Sequence, residues 1–128
     1  MGGTSALIFA SRHADLIDGV LALCPATDTS EMFAAFPDHF IESYGGPPDT
    51  VPGVYRERSS RYHSGALANL PMVIIHGSND ALIPVHHARL LIEELQKRNA
   101  RLRYVELSDG DHDSPVKVEM GPSMEFLL

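Results

Sequence analysis

MVIIHGSNDALIPV, at residues 72–85, is the stretch that decides the fold. Its first five residues form a short, mostly apolar run, which predicts a strand buried on both faces, as in a parallel sheet. Gly77 ends the run, and Pro84 fits the first turn of a helix, where its missing N–H costs no hydrogen bond. A strand, a polar loop and a helix in this order predict one crossover unit of an α/β fold.

The chain after this stretch predicts a helix, a strand and a further helix. An apolar stripe at helical spacing continues from Pro84, and its members are Val85, Ala88, Leu91, Ile92 and Leu95. On the opposite face, Glu93 with Lys97 and Glu94 with Arg98 are expected to form charged pairs one helical turn apart. Residues 102–107 alternate as a third strand, and a final short helix is expected over residues 115–127.

The chain before this stretch begins with a predicted helix that follows two glycines and ends at about Arg12. It is apolar nearly all round, so we expect it to be buried. Residues 19–24 form a short apolar run closed by Pro25, which predicts another strand covered on both faces. The predicted fold class is therefore α/β, with a mostly parallel sheet flanked by helices.

The region between the first two strands has a weaker pattern. Residues 30–44 predict a weak helix, whereas the glycines and prolines of residues 45–48 and 52–53 predict loops. In open α/β sheets such a region lies over the carboxyl ends of the strands. We expect it to shape substrate specificity.

Composition and charge exclude several classes of protein. The chain has 128 residues, of which 44% are hydrophobic and 21% charged, as expected of one globular domain. A net charge of -7 argues against nucleic acid or an anionic membrane as a partner. The single cysteine, Cys24, cannot form an internal disulfide and suits a reducing compartment such as the cytoplasm. We found no signal-peptide layout, membrane-span pattern, cofactor motif or metal-binding motif, so no cofactor and no metal are expected.

Two candidate catalytic residues follow the second and third predicted strands. Asp80 lies in the loop after residue 77, and His112 lies in the loop after residue 107. Because one crossover unit separates them, both side chains can meet above the sheet. A carboxylate that orients a histidine supplies two of the three members of a Ser-His-Asp triad, in which the histidine transfers the proton of the nucleophile.

Four segments of the chain carry a family resemblance: the glycine pair after Met1, YRERS at residues 55–59, VIIHGSNDALIPV at residues 73–85, and Gly110-Asp111-His112. With these segments the chain resembles the carboxyl-terminal half of an α/β hydrolase, and more narrowly the prolyl oligopeptidase family of serine peptidases. The resemblance implies that Asp80 is the triad acid and His112 the triad base. It also implies that residues 1–128 are the carboxyl-terminal part of a single catalytic domain, whose amino-terminal strands lie upstream. Residues 113–115, Asp-Ser-Pro, depart from the glycine and aromatic residue that many members have there.

The resemblance also places the missing nucleophile. The family has a Gly-x-Ser-x-Gly-Gly elbow, and Met1-Gly2-Gly3 matches its last three positions, so the serine is expected just before Met1. The backbone N–H of Met1 would then be an oxyanion-hole donor, although a free chain terminus there would be an ammonium group.

Three functions are compatible with these residues. The resemblance favours a serine hydrolase fragment that acts on peptide bonds, and the alternative within enzymes is a carboxylesterase, because the same triad performs both reactions. A third possibility is a catalytically silent half-domain or interaction module. The expected partners are a peptide or small ester substrate and an amino-terminal half or another chain, since three strands alone leave an apolar sheet edge unpaired.

Simpler explanations exist for the two candidates. Asp80 could only cap the helix near Pro84, and His112 could be an exposed surface histidine. Asp28, after the first strand, is a rival acid, because some α/β hydrolases place the acid there.

Other potentially reactive side chains have structural interpretations. Cys24 is expected to be a small core residue. Ser5 and Ser11 lie inside the first helix, away from any exposed turn. His86 and His87 are adjacent on a helix, so they are expected to point to different faces and to make a poor metal site.

Overall fold

The structure, a computed structural model, describes residues 1–118 and 120–128. Its sheet contains three parallel strands in the order β1-β2-β3: Val20–Leu23, Met72–Gly77 and Leu102–Leu107. Val20 pairs with Met72, and Met72 pairs with Leu102, so the strands begin in step and their carboxyl ends meet at one edge. Sequence reasoning predicted all three strands, and their parallel pairing confirms the predicted fold class.

Helices precede, connect and follow these strands. The elements are α1 (Gly2–Arg12), α2 (Pro37–Tyr44), α3 (Pro52–Glu57), a 3₁₀ turn (Ser60–His63), α4 (Ser64–Leu67), α5 (His86–Gln96), α6 (Ser114–Val118) and α7 (Met120–Leu127). In the part of the chain that the structure describes, no helix is long and apolar enough to cross a membrane. The cytoplasmic location stays a prediction.

The main core lies on one face of the sheet. Every residue of β2 is buried, and alternate residues of a strand point to opposite faces. Met72 and Ile74 pack with residues of α1, α4 and α5, among them Leu7, Leu67 and Leu91. α6 and α7 also contact β2. β2 is therefore the buried central strand that the apolar run predicted.

A second, smaller core holds the region between β1 and β2. It contains Ala26, Met32, Phe40 and Tyr55. The phenol of Tyr55 is buried and donates a hydrogen bond to the carbonyl of Gly46 at 3.0 Å. This region therefore has its own packing above the carboxyl end of β1.

Two predictions for this region were wrong. The expected helix over residues 30–44 begins only at Pro37, after a series of turns, and a helix that was not predicted begins at Pro52. Each proline occupies the first turn of its helix, where the fixed φ suits helical geometry. Pro52, which suggested a loop, therefore marks the start of a helix, and Pro37, inside the expected helix, marks the start of a shorter one.

The first helix is buried on one side only, in contrast to the prediction. Leu7 and Ala10 face the core, whereas Phe9 is 51% exposed.

One of the two predicted charged pairs of α5 also differs. Glu94 pairs with Lys97 at 2.8 Å, because Arg98 donates instead to the hydroxyl of Ser64 at 3.1 Å.

The remaining predictions concern the carboxyl-terminal half. Glu93 and Lys97 form the expected pair at 3.4 Å, and α5 begins at His86, two residues after Pro84. β3 is half-buried throughout, and its alternate residues Leu102 and Tyr104 pack against the main core, as the alternation in the sequence predicts. α6 and α7 cover the region of the helix expected over residues 115–127, and residue 119 of that prediction lies outside the described residues.

Candidate active site

Asp80 lies in the tight loop that follows β2, and its side chain is fully buried. Its Oδ1 accepts hydrogen bonds from the backbone N–H groups of Leu82 and Ile83, each at 2.9 Å. These bonds fix the carboxylate against the loop that leads into α5. Asp80 therefore holds the loop before α5 and does not cap that helix, whose N-terminus has no side-chain cap hydrogen bond among the described residues, and these bonds use only one of its two oxygens.

His112 supplies the partner for the other oxygen. It lies in the loop after β3, its side chain is about one-third exposed, and its Nδ1 is 2.7 Å from Oδ2 of Asp80. An ionised carboxylate only accepts hydrogen bonds, so Nδ1 carries the proton of this bond and Nε2 of the neutral ring is left as the acceptor. The structure therefore brings together the two residues that the sequence singled out.

Close contact between the two loops makes this meeting possible. The N–H groups of Ser78 and Asn79 donate to the carbonyls of Leu107 and Gly110, each at 2.9 Å. A Cβ atom on Gly77 would lie 2.6 Å or less from three backbone atoms of Gly110 and Asp111. Only glycine at position 77 lets the second loop approach the first this closely.

Hydrogen bonds keep Asp80 ionised in spite of its burial. Burial by itself raises the pKa of this carboxyl, but hydrogen bonds from Ile83, His112, Cys24 and Leu82 outweigh it, so the pKa lies below the ordinary value. At neutral pH the group is a carboxylate. It can stabilise a positive charge on His112 whenever that ring takes up a proton.

Two neighbours of this pair were not assigned to the site from sequence. Cys24 follows β1, and its Sγ lies 3.6 Å from the carbonyl oxygen of His112. Burial raises the pKa of its thiol to about 12, so it is protonated at neutral pH and is no nucleophile. His76, at the end of β2, places its Nε2 3.5 Å from Oδ2 of Asp80. The position of both at the carboxyl ends of parallel strands is the sequence signal that could have identified them.

An apolar cavity of about 340 Å³ adjoins His112. Residues from α1, the β1–α2 region and the loop after β2 line it, among them Met1, Ala26, Met32, Phe36, Phe40 and Ile83. Met1 is exposed and stands at the start of α1. It lines the same cavity as His112. The site thus combines a proton acceptor with space for an apolar group.

The rival acid, Asp28, has other partners. Its carboxylate accepts hydrogen bonds from Ser30, Arg61 and Tyr62, at distances between 2.5 and 3.1 Å. These bonds lower its pKa although its burial raises it. Asp80 is the carboxylate that contacts His112, so the geometry favours Asp80 over Asp28.

The prediction that His86 and His87 point to different faces was wrong. Their rings stack with centroids 4.5 Å apart, and His87 is buried rather than on the helix surface. Glu31 joins them, with its Oε2 2.7 Å from Nε2 of His86. Among the described residues, two groups of side chains have ligand atoms within 4.8 Å of one another: Glu31 with His86 and His87, and Cys24 with Asp80 and His112. Sequence motifs gave no indication of either.

Comparisons with known proteins identify the family of this chain. The chain matches the Prolyl oligopeptidase family over residues 1–123. It is 34% identical over 55 residues to the D-(-)-3-hydroxybutyrate oligomer hydrolase of Cupriavidus metallidurans, over 40% of this chain and 8% of that protein.

Solved structures show the same fold. Dipeptidyl peptidase 4 of Porphyromonas gingivalis superposes with a TM-score of 0.79 and 17% identity, over 98% of this chain and 18% of that one. A thermostable esterase superposes with a TM-score of 0.68 and 16% identity, over 98% of this chain and 28% of that one. The chain therefore spans less than a third of the length of each of these proteins.

The family match extends over nearly the whole chain and confirms the resemblance seen in the sequence. The likeness to dipeptidyl peptidase 4 and the esterase supports an α/β hydrolase fold. The chain belongs to the prolyl oligopeptidase family of serine hydrolases.

Proposed function

We propose that this chain is the carboxyl-terminal part of the catalytic domain of a serine peptidase, in which Asp80 is the triad acid and His112 the triad base. One observation carries the proposal: the 2.7 Å contact between Nδ1 of His112 and Oδ2 of Asp80, whose Oδ1 is held by two backbone N–H groups. The nucleophile is a serine directly before Met1, on the elbow that Met1-Gly2-Gly3 completes.

In the proposed reaction, His112 first accepts a proton from the serine and then donates it to the leaving group. Nε2 of His112 removes the hydroxyl proton while the serine oxygen bonds to the acyl carbon, and the same proton then goes to the leaving amine as the C–N bond breaks. A water molecule hydrolyses the resulting ester by the same route. Asp80 keeps the proton on Nδ1 and stabilises the imidazolium form of His112.

The surroundings of His112 favour a substrate with an apolar group. The cavity of about 340 Å³ places aromatic and aliphatic side chains beside the base, so it suits an apolar side chain next to the scissile bond. The backbone N–H of Met1, at the start of α1, is the proposed donor to the oxyanion, where a helix N-terminus also stabilises negative charge.

Labelling with a fluorophosphonate, which reacts with activated serines, tests the proposal. We expect a version extended upstream through Gly-x-Ser to be labelled and the 128-residue chain not to be. His112→Ala in the extended version should abolish labelling. His63→Ala is the matched control, because His63 bonds the carbonyl of Glu57 and should leave labelling unchanged. Labelling of the 128-residue chain would overturn the proposal, because it would require a different nucleophile.

Ester hydrolysis is the second candidate. It is favoured by the likeness to a thermostable esterase. An amide and an ester with the same acyl group distinguish the two functions, when kcat/KM is measured for both on the extended version. A peptidase cleaves the amide at a rate that an esterase does not reach.

A catalytically silent role makes a different prediction. Among the described residues β1 pairs only with β2, and its outer edge is therefore available to a further strand. We propose that an upstream segment of the same domain, or another chain, pairs with this edge. Co-expression of the 128-residue chain with a separate amino-terminal half tests this. Labelling that requires both halves supports a split hydrolase, and a complex without labelling supports an interaction module.

A further inference from the structure

His76 is a buried histidine for which the proposed mechanism has no role. It is the fifth residue of β2, and its side chain is completely inaccessible to solvent. Burial lowers its pKa, so the ring is neutral at neutral pH and carries a single N–H. Its Nδ1 has no hydrogen-bond partner among the described residues.

The N–H of this ring is on Nε2 and holds the residue that orients Asp80. Nε2 donates to the carbonyl oxygen of Ile83 at 2.8 Å. The N–H of the same residue, Ile83, donates to Oδ1 of Asp80 at 2.9 Å. His76 therefore anchors Ile83 to the strand, while Ile83 anchors the carboxylate.

The ring also lies beside the second carboxylate oxygen. Its Nε2 is 3.5 Å from Oδ2 of Asp80, which is the oxygen that His112 contacts at 2.7 Å. Ile83 is thus bonded through its carbonyl to His76 and through its N–H to Asp80. A movement of Ile83 away from His76 would shift Asp80 relative to His112.

Packing alone does not explain a histidine at this position. The other side chains of β2 are apolar and buried, and a buried ring nitrogen without a partner costs free energy. A leucine or phenylalanine would fill the space without that cost. The hydrogen bond from Nε2–H to the carbonyl of Ile83 is the interaction that offsets this cost.

We propose that His76 is a positioning residue, which holds the Asp80–His112 pair in hydrogen-bonding geometry through Ile83. This inference rests on the proposed function, in which that pair transfers the proton of the nucleophile. It requires no contact between His76 and substrate.

Three substitutions separate positioning from packing. His76→Gln places an amide N–H near the position of Nε2, so it can still reach the carbonyl of Ile83. His76→Asn has a shorter side chain, with its amide near the position of Nδ1, and cannot reach it. His76→Leu fills the space without a donor.

The readout is the proton on Nδ1 of His112, observed by NMR in the 128-residue chain. A hydrogen bond to Asp80 protects this proton from exchange with water, and Asp80→Ala identifies its signal by removing the acceptor. We expect His76→Gln to keep the signal and His76→Asn and His76→Leu to lose it. Urea denaturation of each variant shows whether it is folded.

The outcomes are distinct. A protected signal in folded His76→Asn that equals that in His76→Gln overturns the positioning role and leaves the triad proposal intact. If His76→Leu does not fold, the comparison of the Gln and Asn variants still decides. A wild-type chain without any Asp80-dependent signal counts against the proposed triad, and the inference fails with it. In the extended version, a misplacement of about 1 Å should lower kcat on the order of 100-fold with little change in KM.

Discussion

Gly77→Ala should separate the two candidate catalytic residues, although neither of them is changed. Gly77 is the last residue of β2, and the loop that carries His112 passes directly over it. The added Cβ would lie 2.6 Å or less from backbone atoms of Gly110 and Asp111. Backbone atoms cannot turn away as a flexible side chain can, so the loop itself must move.

The size of the effect follows from these contacts. Ordinary van der Waals contact begins at 3.4 Å, and the carbonyl oxygen of Gly110 is the nearest atom, so the loop must shift by at least about 1.1 Å. The same shift along the contact would lengthen the 2.7 Å distance between His112 and Asp80 to about 3.8 Å, beyond a normal hydrogen bond. Overpacking of this kind typically costs about 1–3 kcal/mol in the free energy of unfolding.

Urea denaturation of the 128-residue chain measures this cost. With a slope of about 2 kcal/mol per M, a loss of about 2 kcal/mol lowers the midpoint by about 1 M. Gly53→Ala is the matched control, because a Cβ there meets no atom within 4 Å, and its midpoint should stay the same or rise slightly. A Gly77→Ala variant with an unchanged midpoint and a retained His112–Asp80 contact would refute the reasoning.

Three further predictions concern other parts of the structure. Asp80→Asn should flatten the pH dependence of stability. Because the pKa of this carboxyl is lowered in the folded chain, its contribution to stability is present above the ordinary Asp pKa and is lost as the pH falls through the folded-state value. Urea midpoints measured from pH 7 downward should therefore fall less in the variant. Tyr55→Phe removes the hydrogen bond to Gly46 and should lower the free energy of unfolding by about 1 kcal/mol, whereas unchanged stability would show that this bond is unimportant. Leu91→Ala, in the main core, should cost about 2–5 kcal/mol by thermal denaturation, and Leu82→Ala, at a residue 54% exposed, should change stability by less than about 0.5 kcal/mol.

The elements that sequence reasoning identified best are those whose pattern is local. β2 is a short apolar run between polar residues, and α5 has an apolar stripe at helical spacing, so each could be identified without knowledge of its neighbours. The region between β1 and β2 was identified poorly. Its helices are short, and they are held by a separate small core around Tyr55 rather than by their own periodicity.

The candidate site was only partly visible in the sequence. Asp80 and His112 could be selected because each follows a strand at the same edge of a parallel sheet, and the family resemblance gave them roles. Cys24 and His76 were missed although they also lie at the carboxyl ends of parallel strands, because both residues fit an ordinary buried strand as well. The stacking of His86 on His87 was missed for a related reason: helical angles predict the direction of Cα–Cβ bonds but not the side-chain rotamers.

The sequence by itself determined the α/β order of elements, the acidic surface charge, the family and the two residues most suited to proton transfer. Local periodicity, composition and motif spacing carry that information, and none of it depends on distant contacts. Only the tertiary structure decided that Nδ1 of His112 reaches Asp80, that Ile83 links the carboxylate to His76, and that an apolar cavity adjoins the base. These features depend on the distances between segments far apart in the chain, such as the contact of Gly77 with Gly110. A change of a few tenths of an ångström in such a distance matters, and the distances are set by packing.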